Sequence, residues 1–281
     1  MYKNFRYLNT DVHIYEQENE DVVLLQHDKP HPLSWLRFNG LKPKAVVNCS
    51  YFTNDYVLGR NQGDVRNDTH DQNGFYDLVF TKDGKYHIGN FKSWEYRDNV
   101  IGGFSVATVL IKDGKECGDV SVAIASGSKL VDKNPQTAIG VLKDGSVILV
   151  VSDGRTNVNK GLNGYELRTF LKQHYDLELL CQLDGGGSSE MIVASAIMNE
   201  PSDGKERLMF NGLALVDDFG DVEDTPNDNS VEDKLNIVSK HIRKQKDILD
   251  KSANLLNEIK ELLWVKKLCH LMLLSVGLLL V

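Results

Sequence analysis

NPQTAIGVLKDGSVILVVSDGR, residues 134–155, carries two β-prone runs, AIGVL and SVILVVS, joined through KDGS. Asp-Gly between two such runs is a strong hairpin signal, because Gly accepts positive φ without steric cost. The second run is apolar for five residues and too short for an ordinary helix, so it reads as a buried strand. The stretch then ends in Asp153-Gly154-Arg155, a polar turn placed where the strand stops.

The same texture extends in both directions. DVVLL, AVVNCSYF, YDLVF, VATVLI and SVAIAS read as further strands up to about Val216. Turns of the form KDGK at 82–85 and 112–115 separate several of them. One segment breaks the pattern: GYELRTFLKQHY, residues 164–175, sets Leu167, Phe170 and Leu171 on one helical face. Many strands with few helices give an α+β class, a strand-rich mixed or antiparallel sheet domain over residues 1–216.

Residues 217–230, DDFGDVEDTPNDNS, read as an acidic linker. Beyond it, Leu235, Val238, Ile242, Gln245, Leu249, Ser252, Leu256, Ile259 and Leu263 follow 3-4 spacing. That seam predicts an amphipathic, coiled-coil-like helix over 231–263, which pairs with a second copy through 235–263 or docks on its own domain. Residues 264–281 form a hydrophobic tail. The apolar run is shorter than the roughly 20 residues a bilayer span needs. With Lys266 and Lys267 at its edge, 262–281 reads as a membrane contact or as a buried helix of an oligomer.

The chain has 281 residues, 41% hydrophobic and 26% charged, with a net charge of −8. That is a globular mixture, and its acidity argues against a nucleic acid polymer as partner. The four cysteines form no C-x-x-C pair and so no zinc signature. Cys49 and Cys181 read as buried apolar residues. The first residues lack the apolar core of a signal peptide, which places the chain by expectation inside a cell or in a virion.

The chemistry concentrates in QLDGGGSSEM, residues 182–191. Consecutive glycines let main-chain N–H groups turn toward an anion and let a ligand approach the backbone. Gly185, Gly186, Gly187 and Ser188 are therefore candidate anion contacts, and Asp184 is a carboxylate beside them. A carboxylate at an anion site is protonated, paired with a cation, or chemically used. Asp153 and Glu166 are candidates for a second carboxylate. Asp153 reads equally as a turn residue, and Glu166 as an acid of the first helical turn. Asn48, Gln136, Thr137, Arg155 and Asn211 are candidate polar contacts to a substrate.

Taken in order, NPQTAIG, VVSDGR, GLNGYELRTFL, LDGGGSSEM, NEPSD and MFNGLALV resemble the phosphodiester glycosidase family. VNCSYF and VLGRNQGDVRND extend the resemblance upstream, so that it spans about Ala45 to Val216. The resemblance implies hydrolysis of a sugar 1-phosphodiester, with cleavage between the anomeric carbon and a phosphate oxygen. Carboxylates suit the oxocarbenium character at C1, and a cation suits the phosphate. Asp184 becomes the principal catalytic carboxylate. One departure stands out: Gln136 occupies a position where the family usually has Arg, and Gln lacks the fixed charge and fork geometry. Either Arg155 or Arg60 compensates, or the substrate is altered, or activity is weak; the alternative is a carbohydrate-binding or virion-attachment module without activity. No cofactor is implied, although Asp64, Asp68 and Asp71 form a loop that reads as solvated or as a divalent cation site such as calcium. The order of long helix, Trp-Lys-Lys and apolar tail resembles the ends of small phage accessory proteins. A phage or prophage origin and a phosphodiester-linked surface glycopolymer are the corresponding expectations.

Overall fold

The computed structural model describes residues 1–18, 20–35, 43–51, 76–81, 85–89, 100–106, 108–120 and 128–217. The heptad segment, the apolar tail, the 82–84 turn residues, SVAIAS (121–126), Cys269, and Arg60, Asp64, Asp68 and Asp71 lie outside them. The described residues belong to the first of two units of the chain, Met1–Gly220.

A seven-stranded sheet carries the hairpin of residues 134–155 at its centre. Its strands are β1 (Tyr2–Tyr7), β2 (Thr10–Glu16), β8 (Thr108–Lys112), β9 (Lys115–Val120), β10 (Gln136–Leu142), β11 (Val147–Ser152) and β12 (Leu177–Gln182). They lie in the order β1-β2-β11-β10-β12-β8-β9. A five-stranded sheet holds β3 (Asp21–His31), β4 (Pro43–Asn48), β13 (Met191–Val193), β14 (Ala196–Ile197) and β15 (Met209–Val216) in the order β14-β13-β4-β15-β3. A third sheet, β6-β5-β7, comprises β5 (Tyr76–Thr81), β6 (Tyr86–Gly89) and β7 (Val100–Val106). Every pairing between these strands is antiparallel.

Alternation along β11 explains the layering. Val147, Leu149 and Val151 pack into a cluster with Ala45 and Val47 of β4, Leu213 and Leu215 of β15, and Leu78 and Phe104 of the third sheet. Ile148 and Val150 face the other way, onto Leu167, Phe170 and Leu171. A strand buried on both faces needs apolar residues at every position, and β11 has them. Each such side chain contributes about 1.5–3 kcal/mol on burial. The outer face of the five-stranded sheet has its own cluster, including Val46, Ile192, Met209 and Ala214.

Two short helices complete the described residues, α1 (Ser128–Val131) and α2 (Gly164–His174). The second runs where the sequence places it. Asn163 caps it by accepting from the Glu166 N–H at 2.8 Å, and the Glu166 carboxylate accepts from the Asn163 N–H at 3.0 Å. This reciprocal capping box is worth roughly 1 kcal/mol to the helix end. The KDGS turn also forms, with Gly145 at φ +88°. Cys49 and Cys181 are buried free thiols, and burial raises the pKa of both.

The N-terminal residues form the hairpin β1-β2, which the sequence reading passed over as polar and mixed. Tyr7 pairs with Thr10, and the turn between them is Leu8-Asn9, both at positive φ. The β13-β14 turn is made the same way by Ala194-Ser195. Neither turn carries the Asn-Gly or Asp-Gly signature of its geometry.

Candidate active site

Five strand ends meet at one end of the sandwich: the starts of β10 and β15 and the ends of β4, β11 and β12. The chain leaves β12 at Gln182, passes Leu183 and Asp184, and makes a 3-10 turn at Gly186–Ser188. This loop is clamped from behind. The Asp184 N–H donates to the Cys49 carbonyl at 2.9 Å, and the Asn48 amide donates to the Asp184 carbonyl at 2.6 Å. Leu183 N–H donates to the Thr137 carbonyl at 2.8 Å, and Gly186 N–H to the Pro135 carbonyl at 2.9 Å.

Asn48 is the hub of the clamp. Its side-chain oxygen accepts from the Thr137 hydroxyl at 2.7 Å and from the Glu190 N–H at 3.2 Å. Thr137 Oγ1 also lies 3.1 Å from Ser189 Oγ. Asn211 accepts from the Ser50 N–H at 2.9 Å and donates to the Ser50 hydroxyl at 3.1 Å. Asn48, Thr137 and Asn211 are at most 2% exposed. Asn48 and Thr137 bond to each other and to the back of the loop, while Asn211 holds Ser50, close to Asn48 in sequence.

Two of the three glycines have a steric explanation. Gly186 adopts φ +69°, and a Cβ there would lie 2.9 Å from Arg155 Nη2. A Cβ at Gly187 would collide with Arg207 Nη2 and both carboxylate oxygens of Asp203. Two guanidinium groups thus rest against the bare backbone of adjacent glycines. Arg155, itself at φ +61°, is aimed by Asn134, whose side-chain oxygen accepts from its Nε and Nη2 at 3.1 and 3.0 Å. Arg207 donates from Nη1 to the Ser188 hydroxyl at 3.1 Å and pairs through Nε and Nη2 with Asp203. The amide of Gly186 is committed to Pro135, and the two guanidinium groups add positive charge at the loop.

Asp184 is 8% exposed, beside this cradle. Burial, and then the charge of Asp184, raises the pKa of Tyr51 well above that of an ordinary phenol. Glu190 is forced up to about 8, first by burial and then by the charge and hydrogen bond of Glu206.

The remaining sequence candidates are placed elsewhere. Gln136 is 2% exposed; its amide donates to the Leu162 carbonyl at 2.7 Å and accepts from Gln182 at 2.8 Å. Strand alternation turns it to the face opposite Thr137, so its polar atoms are used inside the protein. Glu166 closes the capping box and pairs with Lys133 at 2.9 Å. Asp153 is buried and accepts from the Glu200 N–H at 2.8 Å, Asn159 at 3.3 Å and His13 Nε2 at 3.3 Å. His13 Nδ1 is in turn 2.8 Å from the Tyr2 hydroxyl. Asp153 thereby ties the N-terminal hairpin and the 199–203 segment to the end of β11.

Arg207, Asp203, Asn134 and Glu190 are the residues at the site that sequence reasoning did not single out. NEPSD and MFNGLALV were both recognised, and Arg207 sits in the five residues between them. Its signal was a lone arginine just before a strand that returns to Asn48. Among the described residues, no cluster of three or more His, Cys, Asp or Glu is suited to a metal.

A family model described as phosphodiester glycosidase matches residues 42–216, more than half of the chain. A protein of Bacillus subtilis, described as SPbeta prophage-derived and uncharacterized, is 30% identical over 112 residues, which are 40% of this chain. The match spans only 17% of that relative's length. The fold is similar to that of the zebrafish N-acetylglucosamine-1-phosphodiester alpha-N-acetylglucosaminidase catalytic domain auto-inhibited by its pro-peptide. There the TM-score is 0.60 at 20% identity, covering 77% of this chain and 82% of that one. A hypothetical protein from Synechocystis superposes with a TM-score of 0.61 at 12% identity, covering 77% of this chain and 61% of the other.

Proposed function

Since the chain belongs to the phosphodiester glycosidase family, we propose that it hydrolyses a sugar 1-phosphodiester, with Asp184 as the catalytic carboxylate. The observation that carries the reading is an acid and two arginines at one glycine loop. Asp184 begins it, Arg155 lies on Gly186, and Arg207 lies on Gly187. A guanidinium group matches a phosphate by geometry as well as by sign.

In this reading the phosphate sits against the two guanidinium groups and the sugar's C1 lies toward Asp184. As the bond from C1 to the phosphate oxygen stretches, negative charge collects on phosphate and positive charge on the ring. The arginines take up the first and the Asp184 carboxylate offsets the second. Phosphate leaves without strong acid assistance, which fits a loop where the other carboxylate, Asp203, is held in an ion pair with Arg207, while Asp153 and Glu166 bond within the fold. A polymer with sugar-phosphate links, such as a bacterial surface glycopolymer, is the substrate class we favour; the prophage-derived relative supports that setting. The non-catalytic reading drew on Gln136. With that side chain bonded to Leu162 and Gln182 and two other guanidinium groups at the loop, it loses that support.

The test is release of free sugar from sugar 1-phosphodiesters by the full chain. The wild type turns over, and Asp184→Asn, of unchanged thermal stability, is slower by about 10²–10⁴-fold. Equal rates in the two proteins would overturn the assignment.

A further inference from the structure

Asp203 lies in the cradle as a second, opposed charge. It stands on the exposed turn after Pro201, closed by the Gly204 N–H donating to the Pro201 carbonyl at 2.8 Å. Its Oδ2 takes both Nε and Nη2 of Arg207, and both its oxygens lie against Gly187. The pair is part-open to solvent, at 35% exposure for Asp203 and 39% for Arg207. Arg207 keeps Nη1 on Ser188. A substrate phosphate at this loop therefore meets an arginine already half-neutralised, with a carboxylate beside it.

We propose that Asp203 is a specificity-determining residue that selects a monoanionic phosphate, a diester, over a dianionic one, a monoester. This rests on the reading of the glycine loop as a phosphate site. A phosphodiester carries one charge, whereas a monoester carries about −1.5 to −2 near neutrality. The additional charge of a monoester falls near the Asp203 carboxylate. That repulsion grows as the two charges approach and as water between them is excluded. The same repulsion acts after turnover. Water adds its oxygen to C1, the phosphate leaves with the electron pair of the C1–O bond, and a proton goes to solvent. The phosphate product is now a monoester, and Asp203 disfavours its retention. One carboxylate thus sets both which phosphate enters and which one departs.

Dimethyl phosphate and methyl phosphate probe this without reference to the sugar. Each is titrated against the full chain at one fixed pH above the monoester's second ionisation, at about 6, and the dissociation constants are read by NMR shift changes. The wild type binds dimethyl phosphate more tightly than methyl phosphate. Asp203→Asn and Asp203→Ser each move the ratio about tenfold toward methyl phosphate. An unchanged ratio in both variants overturns the proposal. So does an equal weakening of both anions, which would make Asp203 a mere support for Arg207. If the wild type binds neither anion and Arg207→Gln behaves identically, the phosphate reading itself falls and this inference with it.

Discussion

Gly187 shows how narrowly the loop is specified. Any side chain there meets Arg207 and Asp203, and neither can withdraw without giving up the contact to Ser188 or its partner. Gly187→Ala therefore costs about 1–3 kcal/mol as an overpacked site. A urea titration measures it, and anion binding at the loop is lost before the fold is. This gives a steric reason for two of the three glycines, beside the anion-binding reason read from the sequence. Composition showed that something approaches the backbone there. It could not show that the visitors are the protein's own side chains, because Arg155 and Arg207 come from loops 31 and 20 positions away from Gly186 and Gly187. Gln136 teaches the converse. Its neighbour Thr137 points to the site, so one step along a strand put Gln136 on the other face.

At the scale of elements, the buried pair of His13 and Asp153 joins β2 to the end of β11. Both side chains are 4% exposed. Removing His13 takes one of three donors from a buried carboxylate, so His13→Ala is expected to lose about 1–3 kcal/mol. Calorimetric or chemical unfolding measures the loss; a change below 1 kcal/mol would mean the contact holds nothing together. What was legible follows a simple division. β10, β11 and α2 were read correctly because their signals are local: an Asp-Gly turn, an unbroken apolar run, a 3.6-residue stripe. The β1-β2 hairpin was hidden because its left-handed turn is built from Leu8 and Asn9, where steric preference predicts glycine. Ala194-Ser195 hid the β13-β14 turn in the same way. Glu166 and Asp153 were noticed as acids, but a carboxylate's use depends on neighbours distant in sequence, such as His13, which no periodicity reveals.

Across the whole molecule, the site assembles from residues 48 to 211, so it exists only when both larger sheets have closed on each other. Stability of that closure depends on pH through Glu190, which has a pKa of about 8 in the folded protein against an ordinary 4.5. The folded state holds this proton more strongly than the unfolded one. Its contribution is fully present below about 4.5 and is lost as pH rises through about 8. Melting temperature should fall across that window, and Glu190→Gln should flatten the curve; an unaltered slope would place the titration elsewhere. The Asp-Gly turns at 112–115 and 143–146 gather at the far end, where Gly114 and Lys143 bond to the residues that lead into β12. Asp113 and Asp144 there are exposed. A tether attached to either turn would present the arginine-lined end outward from any support, leaving its approach open to a polymer too long to diffuse into a crevice.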